Sequence, residues 1–212
     1  MTLGRFITFE GGEGAGKSTQ ARLLADALTD LGVPVLRTRE PGGAPGAEVL
    51  RELLLSGAIA WSAPAEALLH FAARAEHVEQ TIRPALAAGT WVVCDRFADS
   101  TMAYQGYGQG AERGAIATLA RLIGLVPDLT IVLDLPVAMA LQRLSGRPGT
   151  ADRYERLGPD FFARVNAGFS AIAAAEPRCV LLPADGPEAA VAARIWEAVA
   201  ARLSPLPGGP PP

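Results

Sequence analysis

Lys17 is the one lysine in a chain of 212 residues whose Lys and Arg together number 19, so arginine fills every other such position. It lies in GGEGAGKS, where Gly11, Gly16, Lys17 and Ser18 have the spacing of a phosphate-binding loop between an apolar strand and a helix. Glycines there let the backbone wrap around phosphate oxygens, and the free N–H groups that open the helix point at the anion. Lysine puts a compact charge on a flexible stem inside such a loop, whereas the wide planar fork of arginine would not fit. That geometry explains why lysine persists at this position alone. Ser18 would place its hydroxyl on a magnesium ion.

A second charged pair closes another apolar run, WVVCDR, which ends in Asp95 followed by Arg96. A nucleotide-hydrolysing motor usually carries two acidic residues there, one for the metal and one to activate water. A cation in the second place suits a site that holds a second anion beside the first, as a phosphoryl acceptor would be. A guanine-nucleotide switch has little support, since the single asparagine, Asn166, stands outside any NKxD motif and no DxxG occurs.

These residues need elements to position them. Apolar runs bounded by turn residues recur at RFITFEG, VPVLRTRE, TWVVCDRF, DLTIVLDL and PRCVLLP, and continuous runs of this kind suit strands covered on both faces. Helix-compatible stretches lie between them at 18–31, 63–88, 110–125, 137–144, 160–175 and 187–203. Alternation of this kind predicts an α/β fold, a parallel sheet flanked on both sides by helices. With 50% hydrophobic residues and no linker, one domain over 1–204 is expected, followed by a disordered Pro/Gly tail at 205–212. A net charge of −3 gives no global basic field, so small molecules, and neither nucleic acid nor membrane, are the expected partners. Cys94 and Cys179 lie in apolar runs without ligand spacing and read as buried thiols. No leader or membrane-length apolar run is visible, and a soluble cytoplasmic protein is expected.

Five segments in order, FEGGEGAGKST, TREPGG, LLHFAARAEH, DRFADSTMAYQG and DRYE, resemble the thymidylate kinases of the bacterial type, over about residues 5 to 200. The resemblance implies a P-loop, five-stranded nucleoside-monophosphate-kinase fold, a homodimer, and transfer of the γ-phosphoryl of ATP to dTMP. ATP would then bind over Gly11, Gly12, Glu13, Gly14, Ala15, Gly16, Lys17, Ser18 and Thr19, with Ala184 and Asp185 on the adenine side. Phe71 and Arg74, three apart on one helix face, would hold the thymine ring; on the residues alone Phe71 reads as core. Arg96 would clamp the acceptor phosphate, Thr101 and Gln105 would contact the base, and Tyr104 would fill the space of a ribose 2′-hydroxyl. Glu13 would accept from the 3′-hydroxyl, and Pro41 would shape the pocket through a turn that is often cis in the family. Arg51, on the next helix, reaches the acceptor phosphate or makes a surface ion pair.

The phosphate loop holds no arginine, so charge over the transferring group must come from elsewhere. By the resemblance it comes from a mobile lid at about 143–158 that carries Arg143, Arg147, Arg153 and Arg156, with Arg153 and then Arg147 catalytic beside Lys17 and Arg96. Ser18 and Asp95 would hold Mg2+. A kinase for another monophosphate or a deoxynucleoside, and a non-catalytic nucleotide-binding protein, are the alternatives.

Overall fold

RFITFEG forms the central strand, β1 (Phe6–Gly11), in which all six residues are buried. Its parallel neighbours are β3 (Trp91–Asp95) and β4 (Leu129–Asp134), with β2 (Val35–Arg39) and β5 (Cys179–Pro183) at the edges, giving the order β2-β3-β1-β4-β5. A strand covered on both faces needs no polar alternation, which accounts for the apolar run. The buried pair Thr8 and Thr130, side by side on β1 and β4, satisfy each other through hydroxyls 2.8 Å apart. The computed structural model describes residues 4–146, 154, 157–204 and 206.

Helices cover both faces. On one, α1 (Lys17–Asp30) and α9 (Glu188–Leu203) pack Leu24, Leu28, Ile195 and Val199 against Ile7, Phe9 and Ile131. On the other, α8 (Pro159–Ala175) sets Phe161, Val165 and Phe169 around Val132, while Val78, Ile82 and Phe97 close over Phe6, Val92 and Cys94. This is the expected three-layer α/β sandwich. Both cysteines are buried and free.

The stretch read as one helix over 63–88 is α3 (Ala63–His77), a π-helical turn (Val78–Ile82) and α4 (Arg83–Ala87) in continuous succession. Pro84 has no N–H for the carbonyl four residues back, and its ring crowds that carbonyl, so a wider turn precedes it. The remaining helices are α2 (Pro45–Leu55), expected only as the carrier of Arg51, then α5 (Ala98–Thr101), α6 (Arg113–Ile123) and α7 (Val137–Ser145). A second π-helical turn, Met102–Gly108, extends α5.

Register sets the site. Phe9 of β1 lies opposite Asp95 of β3, so the loop after β1 and the Asp95–Arg96 corner emerge side by side at the carboxyl edge of the sheet. Ligands of open α/β sheets bind at that edge, where the strand order reverses.

Candidate active site

The phosphate loop is shaped by close backbone approach. Gly11 has φ 132°, and a Cβ there would lie 2.4 Å from the carbonyl oxygen of Leu133, so glycine is required on both counts. A Cβ on Gly12 would lie 2.5 Å from Oδ1 of Asn166, whose amide donates to the Leu135 carbonyl at 3.0 Å. The chain's one asparagine thus props the loop from α8. Lys17 opens α1, is only 6% exposed, and folds back to donate from Nζ to the Gly12 carbonyl at 2.7 Å. Burial, reinforced by Arg96, pushes its ammonium down to about 8, against the pull of Glu13, Asp95 and Glu10.

Beside the loop stands Arg96, at a backbone φ of 71°. Its Nη2 donates to Glu13 Oε1 at 2.5 Å and to the Tyr104 hydroxyl at 3.1 Å, and its Nη1 reaches Ser100 Oγ at 3.3 Å. The Tyr104 hydroxyl in turn donates to Glu13 at 2.7 Å. Burial alone would raise the Glu13 carboxyl, but Arg96, Lys17 and the Tyr104 bond hold it at about 2. Burial keeps the Tyr104 phenol protonated, well above its ordinary range. Ser18 Oγ donates to Asp95 Oδ2, while Asp95 Oδ1 is buried without a hydrogen-bond partner among the described residues.

Farther from the loop, Arg74 is locked in place. Its Nε donates to Glu40 at 2.7 Å, Nη2 donates to the Phe97 carbonyl at 2.9 Å, and Thr101 Oγ1 lies 3.2 Å from Nη2. Glu40 is held from its other side by His77 Nδ1 at 3.0 Å, and its bond to Pro41 is cis. Gln105 donates to Glu66 at 2.8 Å and to the Tyr154 hydroxyl at 3.2 Å, and that hydroxyl also meets His70 Nε2 at 2.9 Å.

One cavity of about 430 Å³ joins these groups, from Lys17 and Ser18 past Arg96 to His70, Arg74 and Gln105. Comparison with known proteins agrees with this arrangement. The family model described as thymidylate kinase matches residues 9–195. The chain belongs to the thymidylate kinase family. Two relatives named thymidylate kinase are each 54% identical: one from Caulobacter vibrioides, matched over 96% of this chain and 99% of the relative, and one from Gluconobacter oxydans, over 92% and 94%. A crystal structure of thymidylate kinase from Ehrlichia chaffeensis superposes with a TM-score of 0.76 at 36% identity, covering 93% of this chain and 99% of that one.

In this thymidylate kinase family member the cavity is lined by Glu13, Gly14, Gly16, Lys17, Ser18 and Thr19 of the loop and by Asp95 and Arg96 of the corner. Pro41, Arg51, Arg74, Thr101, Tyr104 and Gln105 also line it. Arg51 donates to the Pro41 carbonyl at 2.6 Å and forms no ion pair among the described residues. Arg143 spans from the Gly14 carbonyl to that of Ala184, at 3.2 and 3.1 Å, tying the loop to the segment after β5. Asp185 is exposed and lies 3.6 Å from Arg194. Arg147, Arg153 and Arg156 lie outside the described residues.

Phe71 stands apart from the other expected base contacts. It does share a face with Arg74, whose guanidinium sits 4.6 Å from the ring centre, but it packs with Ala67, Ala111 and Ile116 beneath Arg74 and does not line the cavity. The ring that α3 turns to the cavity is His70. One α-helical residue is about 100°, so positions three and four before Arg74 flank it on opposite sides. The i, i+4 row carries the cavity-facing ring, and the pattern of buried Ala67, Phe71 and Ala111 was the signal for the other side. Sequence reading also passed over Arg39, Glu40, Leu55, Phe97, Ser100, Leu144 and Tyr154, which line it too.

Proposed function

We propose that this thymidylate kinase family member transfers the γ-phosphoryl of ATP to dTMP, giving dTDP and ADP in the supply of dTTP. The observation that carries the reading is the continuous cavity, with a phosphate loop at one end, Arg96 beside it, and a pocket of His70, Arg74, Thr101 and Gln105 at the other. ATP would lie along residues 11–19, with Arg143, Ala184 and Asp185 toward adenine. Arg96, aided by Arg51, would take the acceptor phosphate, and Glu13 would face the sugar. Tyr104, a buried ring against that position, leaves an added 2′-hydroxyl without room or a partner.

The acceptor phosphate is already ionised at neutral pH, so the residues need only align two anions and offset their repulsion. Lys17 and Arg96 supply positive charge from opposite sides of the junction, and Arg153 and Arg147 of the lid at about 143–158 would complete it. Ser18 and Asp95 fit a magnesium ion: the hydroxyl already meets one carboxylate oxygen, and the other oxygen is buried and unsatisfied. Magnesium on ATP takes few protein ligands, and among the described residues no cluster of three or more His, Cys, Asp or Glu could hold a metal. Bound there, the ion would neutralise phosphate charge.

Residues 1–204 would act as one domain, with 205–212 as a tail. A homodimer in the cytoplasm is the proposed state. In its favour, an apolar groove of about 350 Å³ runs between α3 and α6, with Leu68 56% and Leu122 79% exposed. No helix among the described residues is long and apolar enough to cross a membrane.

ADP release with ATP and magnesium, measured against dTMP, dUMP, UMP, dCMP, AMP and thymidine, tests the activity. Turnover largely confined to dTMP, with UMP rejected, is expected; turnover on another acceptor would overturn the base pocket but keep the phosphate site. The reassigned ring has its own test. His70→Ala should raise the KM for dTMP about tenfold or more, the worth of one base–ring stack. Phe71→Ala should instead lower stability by about 3 kcal/mol as a core truncation, with a smaller change in KM. The opposite ranking of the two KM values would restore Phe71 as the stacking ring.

A further inference from the structure

Glu10, the fifth residue of β1, is fully buried, and among the described residues its carboxyl hydrogen-bonds the cavity lining only at Phe97 and Ser100. Its Oε1 accepts from the backbone N–H of Phe97 at 2.7 Å and of Ser100 at 3.2 Å, and its Oε2 lies 2.5 Å from Ser100 Oγ. These donors open α5, whose N-cap residue, Phe97, offers no side-chain cap. A carboxyl from the neighbouring strand therefore caps the helix from outside.

The capped turn is the strained one. Arg96 has φ 71°, a left-handed conformation that is unfavourable for a residue with a side chain and persists only where its surroundings over-determine it. Here the Arg96 N–H donates to the Phe9 carbonyl at 2.9 Å just before the turn, and Glu10 grips the backbone just after it. Adjacent residues of one strand thus hold both sides. Ser100 Oγ extends the hold to the side chain, since it meets Glu10 Oε2 and Arg96 Nη1 together.

We propose that Glu10 is a positioning residue for the acceptor-phosphate clamp: it fixes the Arg96 turn and, through Ser100, aims the guanidinium, without touching either substrate. This rests on the proposed role of Arg96.

The charge state follows from the surroundings. Burial first, and then Asp99, push the Glu10 carboxyl up to about 8, against Ser100, Arg96 and the Phe97 bond. The other charged or titratable groups that act on it are Lys17 on the loop, Cys94 on β3 and Cys179 on β5, and Asp99 is itself paired with Arg178 at 2.7 Å. Ser100 Oγ donates to Glu10 Oε2 while accepting from Arg96 Nη1, so one hydroxyl links the carboxyl to the guanidinium. The folded state binds the proton more tightly than an ordinary carboxyl of 4.5, so the contribution to stability is full below that value. It is lost as pH rises toward about 8.

The test compares Glu10→Ala, Glu10→Gln and Ser100→Ala with the unaltered enzyme by steady-state kinetics and thermal unfolding. Glu10→Ala should raise the KM for dTMP or lower kcat, for a kcat/KM loss of about 10²-fold, with the KM for ATP nearly unchanged. Ser100→Ala should show a smaller loss of the same kind. Glu10→Gln keeps an acceptor oxygen for the N–H groups of Phe97 and Ser100 and a polar group beside Ser100 Oγ, so it should restore most of the neutral-pH turnover. If Glu10→Ala does not fold, Ser100→Ala decides: a kcat/KM for dTMP equal to that of the unaltered enzyme overturns the proposal. Equal losses for dTMP and ATP in folded Glu10→Ala would mean a structural role only, and also overturn it. A severe dTMP defect in Arg96→Ala alongside unaffected Glu10 variants would sink Glu10 alone, whereas an innocuous Arg96→Ala would sink the clamp and this proposal with it.

Discussion

Lys17→Arg should abolish turnover, lowering kcat by about 10³-fold or more even though the charge is kept. Nζ of Lys17 already sits inside the loop, 2.7 Å from the Gly12 carbonyl, in a side chain only 6% exposed. A guanidinium is wider, carries five donors in a plane, and has to displace the loop or the Arg96–Glu13 pair to enter. Two cations would then crowd one another, because Arg96 already acts on Lys17 strongly enough to help push its ammonium down to about 8. The variant should unfold within a few degrees of the parent, since Lys17 serves the loop rather than the core. Turnover within tenfold of the parent would refute the geometric account of why lysine persists at this position alone.

Arg96→Ala should cost about 10⁴-fold in kcat/KM for dTMP, within the range for removal of a transition-state arginine, with a far smaller effect on the KM for ATP. Truncation also strips Glu13 of its partner cation at 2.5 Å, so its carboxylate would face the incoming phosphate uncompensated and repel it. The backbone separates the two contributions. At φ 71° an alanine keeps the strain and a glycine loses it, so Arg96→Gly should be about 1 kcal/mol more stable than Arg96→Ala and equally inactive. Activity recovered by glycine would assign the defect to the turn instead of the guanidinium.

Much of this was written locally in the chain. All five strands lie where the apolar runs fall, because a fully covered parallel sheet demands continuous hydrophobic stretches, and the phosphate loop is a contiguous motif with a fixed backbone consequence. What escaped depends on which side of a helix meets the cavity. His70 and Phe71 are neighbours, and only the packing of α3 on α6 through Phe71, Ala111 and Ile116 decides that the second turns inward to the protein and the first to the ligand space. Glu10 was equally invisible, since its partners Phe97 and Ser100 are brought to it by the pairing of β1 with β3. Arg39, at the end of β2, and Leu55, at the end of α2, enter the lining from two different elements, which no spacing in the sequence records.

The buried solitary lysine has an analytical consequence. An endoprotease specific for lysine has one bond to cut in the whole chain, Lys17–Ser18, at the first residue of α1 and folded against the loop. No frayed end or surface segment offers it a second substrate, so every scission records an event in which the loop and the start of α1 come apart. Nicking at that bond is therefore a clock for opening of the catalytic loop, and a nucleotide that binds only the closed form slows it in proportion to its occupancy.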